Sequence, residues 1–595
     1  MRVRLWFSAT AVLCALALHV LATDVKRFQQ GADMKSRLHE LFQEAWEWEL
    51  RENPLWASYL GDDRYNDRWP DVSLEAIARR AEKRAEYLRR LREMDINALD
   101  EEDQISYRMF ERWYENALGD YRYGWHFLSF NQREGIQNVD TIADALSFEK
   151  RSDYEAWLKR LETFPLYMDQ TIELLREGIR RGLVHPRVVM ERIPDQIKRQ
   201  IVDDPEKSPF YGPYREMLAE LDPDEAESLR RQARHLIRSR IVPCYRKFLD
   251  FFEGEYLPAC LDRPGIWQLP NGKEMYRFLA RKFTTTELTP EQIHEIGRNE
   301  VKRIRHEMEK VIASTGFQGT FREFLTFLRT NPRFYTRDPK ELLRIYRATC
   351  KRIDPELVHL FGRLPRMPYG VEPIPEHVAP DTTTAYYREP AADGSRAGTY
   401  FVNLYKPETR PLYEVEVLSV HEAVPGHHLQ IALAMELKDL PAFRRYTGVT
   451  AFVEGWALYA ESLGEELGLY KDPYSKFGQL TYEMWRAVRL VVDTGIHYYG
   501  WSREQAIEYF LENTAKTKLD IENEVDRYIA WPGQALAYKI GELRIKELRR
   551  RAEQELGDAF DVREFHDVVL GSGAVPLDVL TSKVENWIRL KKRAR

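Results

Sequence analysis

The chain is short of cysteine: four in 595 residues, with Cys14 confined to the first twenty. Cys244, Cys260 and Cys350 form an odd set, so the fold is not expected to depend on disulfides, and Cys244 with Cys260 is the one local pair to consider. No Asn-x-Ser/Thr sequon occurs, which favours a bacterial envelope over a glycosylating secretory route. There is no excess of positive charge either. The 89 Lys and Arg stand against 95 Asp and Glu, a net charge of -6 that speaks against a nucleic-acid partner. Short basic runs such as Arg549-Arg550-Arg551 lie beside acidic residues in helix-like stretches and read as solvated faces. Past residue 22 no apolar run is long enough to cross a bilayer, and no internal repeat is found.

The opening residues read as an address. Arg2 and Arg4 precede an uncharged, mostly apolar stretch from Leu5 to Ala22, and Val20-Leu21-Ala22 fits a small-residue cleavage site. The expected leader is therefore residues 1–22. Ser8, Thr10 and His19 dilute the apolar run and favour cleavage over a signal anchor. The mature chain is expected to be secreted or periplasmic, without stable insertion in the membrane.

Most of the chain reads as helix. Thr289-Pro290-Glu291-Gln292 is a helix start, with a Thr cap, Pro at the first position and Gln three after the cap. Ile293, Ile296, Val301, Ile304, Met308 and Val311 then share one face, and the pattern ends near Gly316. From Leu364 to Pro411 the sequence turns rich in Pro, Gly and Thr, and Gly398–Tyr405 reads as a strand. A boundary near residue 365 is expected, with an N-terminal helical lobe over 23–365 and a half that carries the chemistry over 366–595.

His421-Glu422-Ala423-Val424-Pro425-Gly426-His427-His428 puts three of the fourteen histidines within eight residues. Zinc needs about three neutral imidazole or carboxylate ligands, an open position for water and a nearby base. In H-E-x-x-H, one helix supplies two His a turn apart with the Glu beside them. Here the spacings are six and seven. On an unbroken helix six residues rotate about 600°, the wrong face, and seven rotate about 700° but climb roughly 10 Å. Pro425 changes this: it lacks the donor for the carbonyl of His421 and pushes Val424 out of the helical region. A bulge over 423–425, with the helix resuming at Gly426-His427, would bring His427 back beside His421. His428 is the alternative ligand.

A third ligand is offered by Ala451–Glu461, an apolar helix that carries Glu454 and Glu461. Glu454, between Val453 and Gly455-Trp456, would be costly to bury without a cation, whereas Glu461 can be a solvated helix residue. Downstream, Arg486, Arg489, Asp493 and His497 recur at spacings of three and four and share a helical face. Asp493 is placed to orient His497, which is expected to stabilise an oxyanion. Arg527, Tyr528 and Tyr538 follow, and Tyr538 is a second candidate oxyanion donor.

Together, His421 to Gln430, Phe452 to Glu461, Asp493-Thr-Gly-Ile-His497, and Arg527-Tyr528 through Pro-Gly-Gln-Ala-Leu-Ala-Tyr538 closely resemble the domain-of-unknown-function 885 family, DUF885. That family looks like a distant relative of the mostly helical gluzincin peptidases. The resemblance implies a mainly α fold, two helical lobes flanking a deep cleft lined by a short sheet edge. It also implies one zinc per chain held by His421, His427 and Glu454, with Glu422 as general base; His497 and Tyr538 are the residues expected at the oxyanion. The expected activity is hydrolysis of peptide bonds in short peptides, with Gly398–Tyr405 as an edge strand for the substrate and Tyr400, Asn403 and Arg527 contacting it. Two other activities are carried beside it: a zinc hydrolase of a non-peptide amide or ester, and a secreted binding protein without catalysis.

Overall fold

A computed structural model describes residues 33–594, apart from 216, 218–220, 377–378, 380–382, 391–393 and 395. The leader expected over residues 1–22 lies outside the described residues. What is described is mainly helical, with one small three-stranded sheet. Among the described residues no helix is long and apolar enough to cross a membrane. Cys244, Cys260 and Cys350 are buried free thiols, so the local pair does not form.

The elements around the site are α1 (Pro290–Ser314), β1 (Tyr369–Pro373), β2 (Ala385–Arg388), β3 (Gly398–Val402), α2 (Val415–Glu422), α3 (His427–Met435), α4 (Thr450–Leu463), α5 (Pro473–Thr494), α6 (Lys518–Ala530) and α7 (Ala537–Leu556). The start of α1 follows the sequence signal. The Thr289 hydroxyl accepts from the Gln292 N–H, and the Gln292 side chain accepts from the Thr289 N–H, so two orphan donors of the first turn are satisfied. Its buried face is Ile293, Val301, Ile304 and Met308.

Two helix crossings hold the centre together, and glycine permits both. A Cβ on Gly297 of α1 would lie 2.7 Å from Leu490 and 2.9 Å from Val491 of α5. A Cβ on Gly541 of α7 would lie 1.9 Å from the Ala451 carbonyl oxygen of α4, and Gly455 meets Gly541 across the same contact. Backbones therefore approach more closely than side chains would allow. The helix α5 is buried nearly all round, so its Glu483, Arg486, Arg489 and Asp493 are interior groups that need partners.

The apolar residues form two large buried clusters. One joins Phe42, Phe110 and Leu342 to Val420, Trp456 and Leu580; the other joins Trp157, Phe210 and Ile304 to Val488, Phe510 and Tyr528. Each draws side chains from both sides of residue 365. The change in composition there marks the only strands among the described residues, while the cores run through it.

The sheet differs from expectation. β3 ends at Val402 and lies in the middle, paired parallel with β1 and antiparallel with β2. It is not an edge strand, because neighbours already take up the hydrogen-bonding groups on both its sides. The available edges are those of β1 and β2.

Candidate metal centre

The site is built at a broken helix. α2 stops at Glu422, and Ala423 takes φ -97° and ψ -107°. The Val424–Pro425 peptide is cis, Gly426 takes φ -74° and ψ -127°, and α3 then begins at His427. The Gly426 N–H donates to the Val420 carbonyl at 2.9 Å and the His428 N–H to the Ala423 carbonyl at 3.1 Å, so the break keeps its backbone groups paired. Only glycine fits at 426: a Cβ there would lie 1.9 Å from the His421 carbonyl oxygen. The Trp456 indole on α4 donates to the Pro425 carbonyl at 2.8 Å and ties the bulge to the neighbouring helix.

This geometry brings three expected residues together. His421 Nε2 is 3.9 Å and His427 Nε2 is 3.7 Å from the same Glu454 carboxylate oxygen. One donor atom from each of the three falls within 4.8 Å of the others, and the two imidazoles meet edge to face at 4.8 Å between centroids. Zn–N bonds of about 2.0–2.1 Å place tetrahedral neighbours about 3.3 Å apart, so small side-chain rotations would close this set on one ion. Glu422 lies beside it. Burial raises its pKa, the His427 charge opposes that rise, and the Glu454 charge adds to it. His421 is held well below its ordinary range by burial, with the His427, Arg486 and Arg489 charges adding, so its imidazole is neutral and fit to be a ligand.

Glu461, read from the sequence as a solvated helix residue, is fully buried and takes His421 Nδ1 at 2.7 Å. That contact aims His421 Nε2 at Glu454, as the outer carboxylate of a metal-bound histidine does. Burial pushes Glu461 up to about 8, against the pull of Arg486 3.8 Å away. A signal was present: Glu461 is seven residues after Glu454, two turns along the same face of an otherwise apolar helix.

His428 points elsewhere. Its Nδ1 accepts from the Tyr387 hydroxyl of β2 at 2.8 Å, and its Nε2 bonds the Met367 carbonyl at 3.0 Å. Both ring nitrogens are committed, so His428 pins the sheet to α3 and leaves His427 as the ligand candidate. A Cβ on Gly398 would lie 2.7 Å from His428 Nδ1, which explains the glycine that opens β3.

The remaining candidates divide. His497 follows α5 in a π-turn over Gly495–Tyr499 and is fully buried. Its Nδ1 accepts from the Ile266 N–H at 3.2 Å and its Nε2 bonds the Tyr528 carbonyl at 2.9 Å, so neither nitrogen is left to reach an oxyanion. Asp493 does not orient it; its carboxylate accepts from the Tyr276 hydroxyl at 2.5 Å and the Gly533 N–H at 3.0 Å. Tyr400 is wholly buried against Tyr346, and the Asn403 amide donates to the Ala379 carbonyl at 2.7 Å, so neither faces a substrate. For Tyr400 the reason is the central position of β3. Arg527 is buried against Glu524 and Gln534. Tyr538 sits between the two sets. The Arg489 guanidinium lies 4.4 Å over its ring, and its pKa is raised by burial and then by the Glu454 charge.

A sequence model of a bacterial family of unknown function, DUF885, matches residues 54–584. The chain belongs to the DUF885 family. This DUF885 chain is similar to a crystal structure of a candidate lipoprotein from Colwellia psychrerythraea, with 29% identity and a TM-score of 0.86 over 94% of this chain and 99% of that one. It also shares its fold with a candidate lipoprotein of unknown function from Shewanella oneidensis, at 18% identity and a TM-score of 0.66 over 92% and 99% of the two chains. No curated protein matches the DUF885 chain significantly.

Proposed function

We propose that this chain is an exported zinc-dependent hydrolase of peptide bonds in short peptides, distantly related to the helical gluzincin peptidases. One observation carries the reading: two imidazole nitrogens and a carboxylate oxygen converge at a helix break, with a second carboxylate, Glu422, beside them. His421, His427 and Glu454 would hold the ion. When bound, zinc acidifies a water and polarises a carbonyl.

The chain's own groups supply the rest. Glu461 fixes the tautomer and direction of His421. Glu422 accepts the proton from the attacking water and passes it to the leaving amine. Water thus adds across the C–N bond, giving a carboxylic acid and an amine. Tyr538, which carries the Arg489 guanidinium over its ring and feels the Glu454 charge, would donate to the developing oxyanion. Burial of His421 and Glu461 keeps bulk water from the ligand support. The extracytoplasmic placement rests on the leader-like residues 1–22 and on the lipoprotein descriptions of both structural neighbours.

The test is metal analysis of the purified protein, joined to a mass-spectrometric readout of a peptide library. The expected result is one zinc per chain and cleavage that a chelator abolishes. In Glu422→Gln, turnover is expected to fall about 10²–10⁴-fold with zinc retained. Zinc-loaded protein that leaves every peptide intact would overturn the reading.

A further inference from the structure

Beside the carboxylate-rich metal centre lies a cluster of opposite sign. Glu524 of α6 is approached by three guanidinium groups: Arg527 at 3.0 Å, Arg489 at 3.3 Å and Arg133 at 3.8 Å. Burial opposes ionisation of Glu524, yet the Arg527 and Arg489 charges hold it far below the usual carboxylate range. One carboxylate thus faces three cations. Arg527 is satisfied by Glu524 and by Gln534. Arg489 is not. Its Nε donates to the Tyr528 hydroxyl at 2.9 Å and its Nη2 reaches Glu524, but its Nη1 is buried without a hydrogen-bond partner among the described residues. The side chain is 8% exposed, so this is an interior donor that lacks an acceptor.

The unpaired group is next to the proposed chemistry. Arg489 packs on the face of Tyr538, a ring that also feels the charges of Glu454 and Arg527 and lies beside Gln534. Three side chains around it are partly open to solvent: Glu454 at 21%, Glu524 at 17% and Arg133 at 45%. A peptide lying along it would meet carboxylates at the metal end and guanidinium groups at the other. An anionic end is drawn to the guanidinium groups.

We propose that Arg489, with Arg133 at the rim, is a subsite for the free C-terminal carboxylate of the substrate, so that the enzyme reads peptides from their C-terminal end. The inference rests on the peptidase reading and names its substrate class. A carboxylate supplies the acceptor that Arg489 Nη1 lacks and offsets the excess charge around Glu524. The occupant needs only one anionic group, which every unblocked peptide carries. An acidic side chain offers the same chemistry, so the test must tell the two sources apart.

Binding separates this proposal from the question of turnover. Zinc-loaded Glu422→Gln protein is titrated calorimetrically with three matched peptides: a free acid, its C-terminal amide, and an amide with glutamate as its last residue. The free acid is expected to bind about 10–100-fold tighter than the plain amide. Adding Arg489→Gln should shrink that ratio to within about twofold, and Arg489→Lys, which keeps the charge without the fork, should leave part of it. Circular dichroism confirms that each variant is folded, and Arg133→Gln supplies a rim variant if Arg489→Gln does not fold. Equal binding of acid and amide overturns the subsite. Binding of the glutamate amide as tightly as the free acid overturns its assignment to the C-terminus. A retained preference for the free acid, in a wild-type enzyme that cleaves none of the three, leaves the subsite standing and removes the peptidase reading instead.

Discussion

The break between α2 and α3 and the π-turn after α5 each bury a histidine almost completely, His421 at 3% exposed and His497 at 0%. Both rings are neutral because burial lowers their pKa, that of His497 to about 4. The difference lies in their second nitrogens. His421 gives one to Glu461 and turns the other toward a carboxylate and a second imidazole. His497 gives both to backbone groups. Burial therefore does not mark a functional histidine; a ring nitrogen aimed at other metal-binding groups does.

The largest expected effect breaks the first region. His421→Ala should abolish stoichiometric zinc, read by plasma mass spectrometry, and lower turnover of any cleaved peptide below detection; retained zinc would move the centre elsewhere. A smaller effect comes from Glu461→Gln, which keeps a hydrogen bond to His421 but cannot ionise. Zinc affinity, measured by competition with a chromogenic chelator, should weaken about 10–100-fold. His497→Ala sharpens the contrast from the other side. It leaves the Ile266 N–H and Tyr528 carbonyl without their partner, at about 1–3 kcal/mol for each group, and should lower the melting temperature while zinc affinity stays within about twofold. A change in zinc affinity there would join the two regions after all.

The smallest effect concerns Asp493, which serves the π-turn region through Tyr276 and Gly533. Burial raises its pKa to about 7 against those two hydrogen bonds. The folded state thus favours the protonated form relative to an unfolded carboxyl near 3.8. Its contribution to stability is fully present below pH 4 and is lost as pH rises toward 7. Asp493→Asn keeps an acceptor oxygen for both donors and removes that component. Thermal unfolding between pH 4 and 8 should show a flatter profile for the variant; an unchanged profile would place the titration on another group.

Much of this was legible in the chain. The cap at Thr289, the helical majority, and the helix break forced by Pro425 follow from local chemistry that needs no distant contact. The grouping of His421, Glu422 and His427 is legible for the same reason, since six residues cannot stray far once the helix between them is broken. Glu461 is buried and not solvated because α2, α5 and α7 pack around it and remove its solvent. β3 was misread because an alternating apolar run looks alike at the edge and in the centre of a sheet; only the partners β1 and β2 decide.

The sequence by itself determined the helical class, the interrupted helix and the grouping of side chains of metal-ligating type. The tertiary structure alone decided which nitrogen of each histidine is available, which of two adjacent histidines faces Glu454, and where a guanidinium is left without an acceptor. Backbone preference acts over a few residues and is written locally. Hydrogen-bond partners and burial are supplied by segments tens to hundreds of residues apart, and they exist only once those segments pack together.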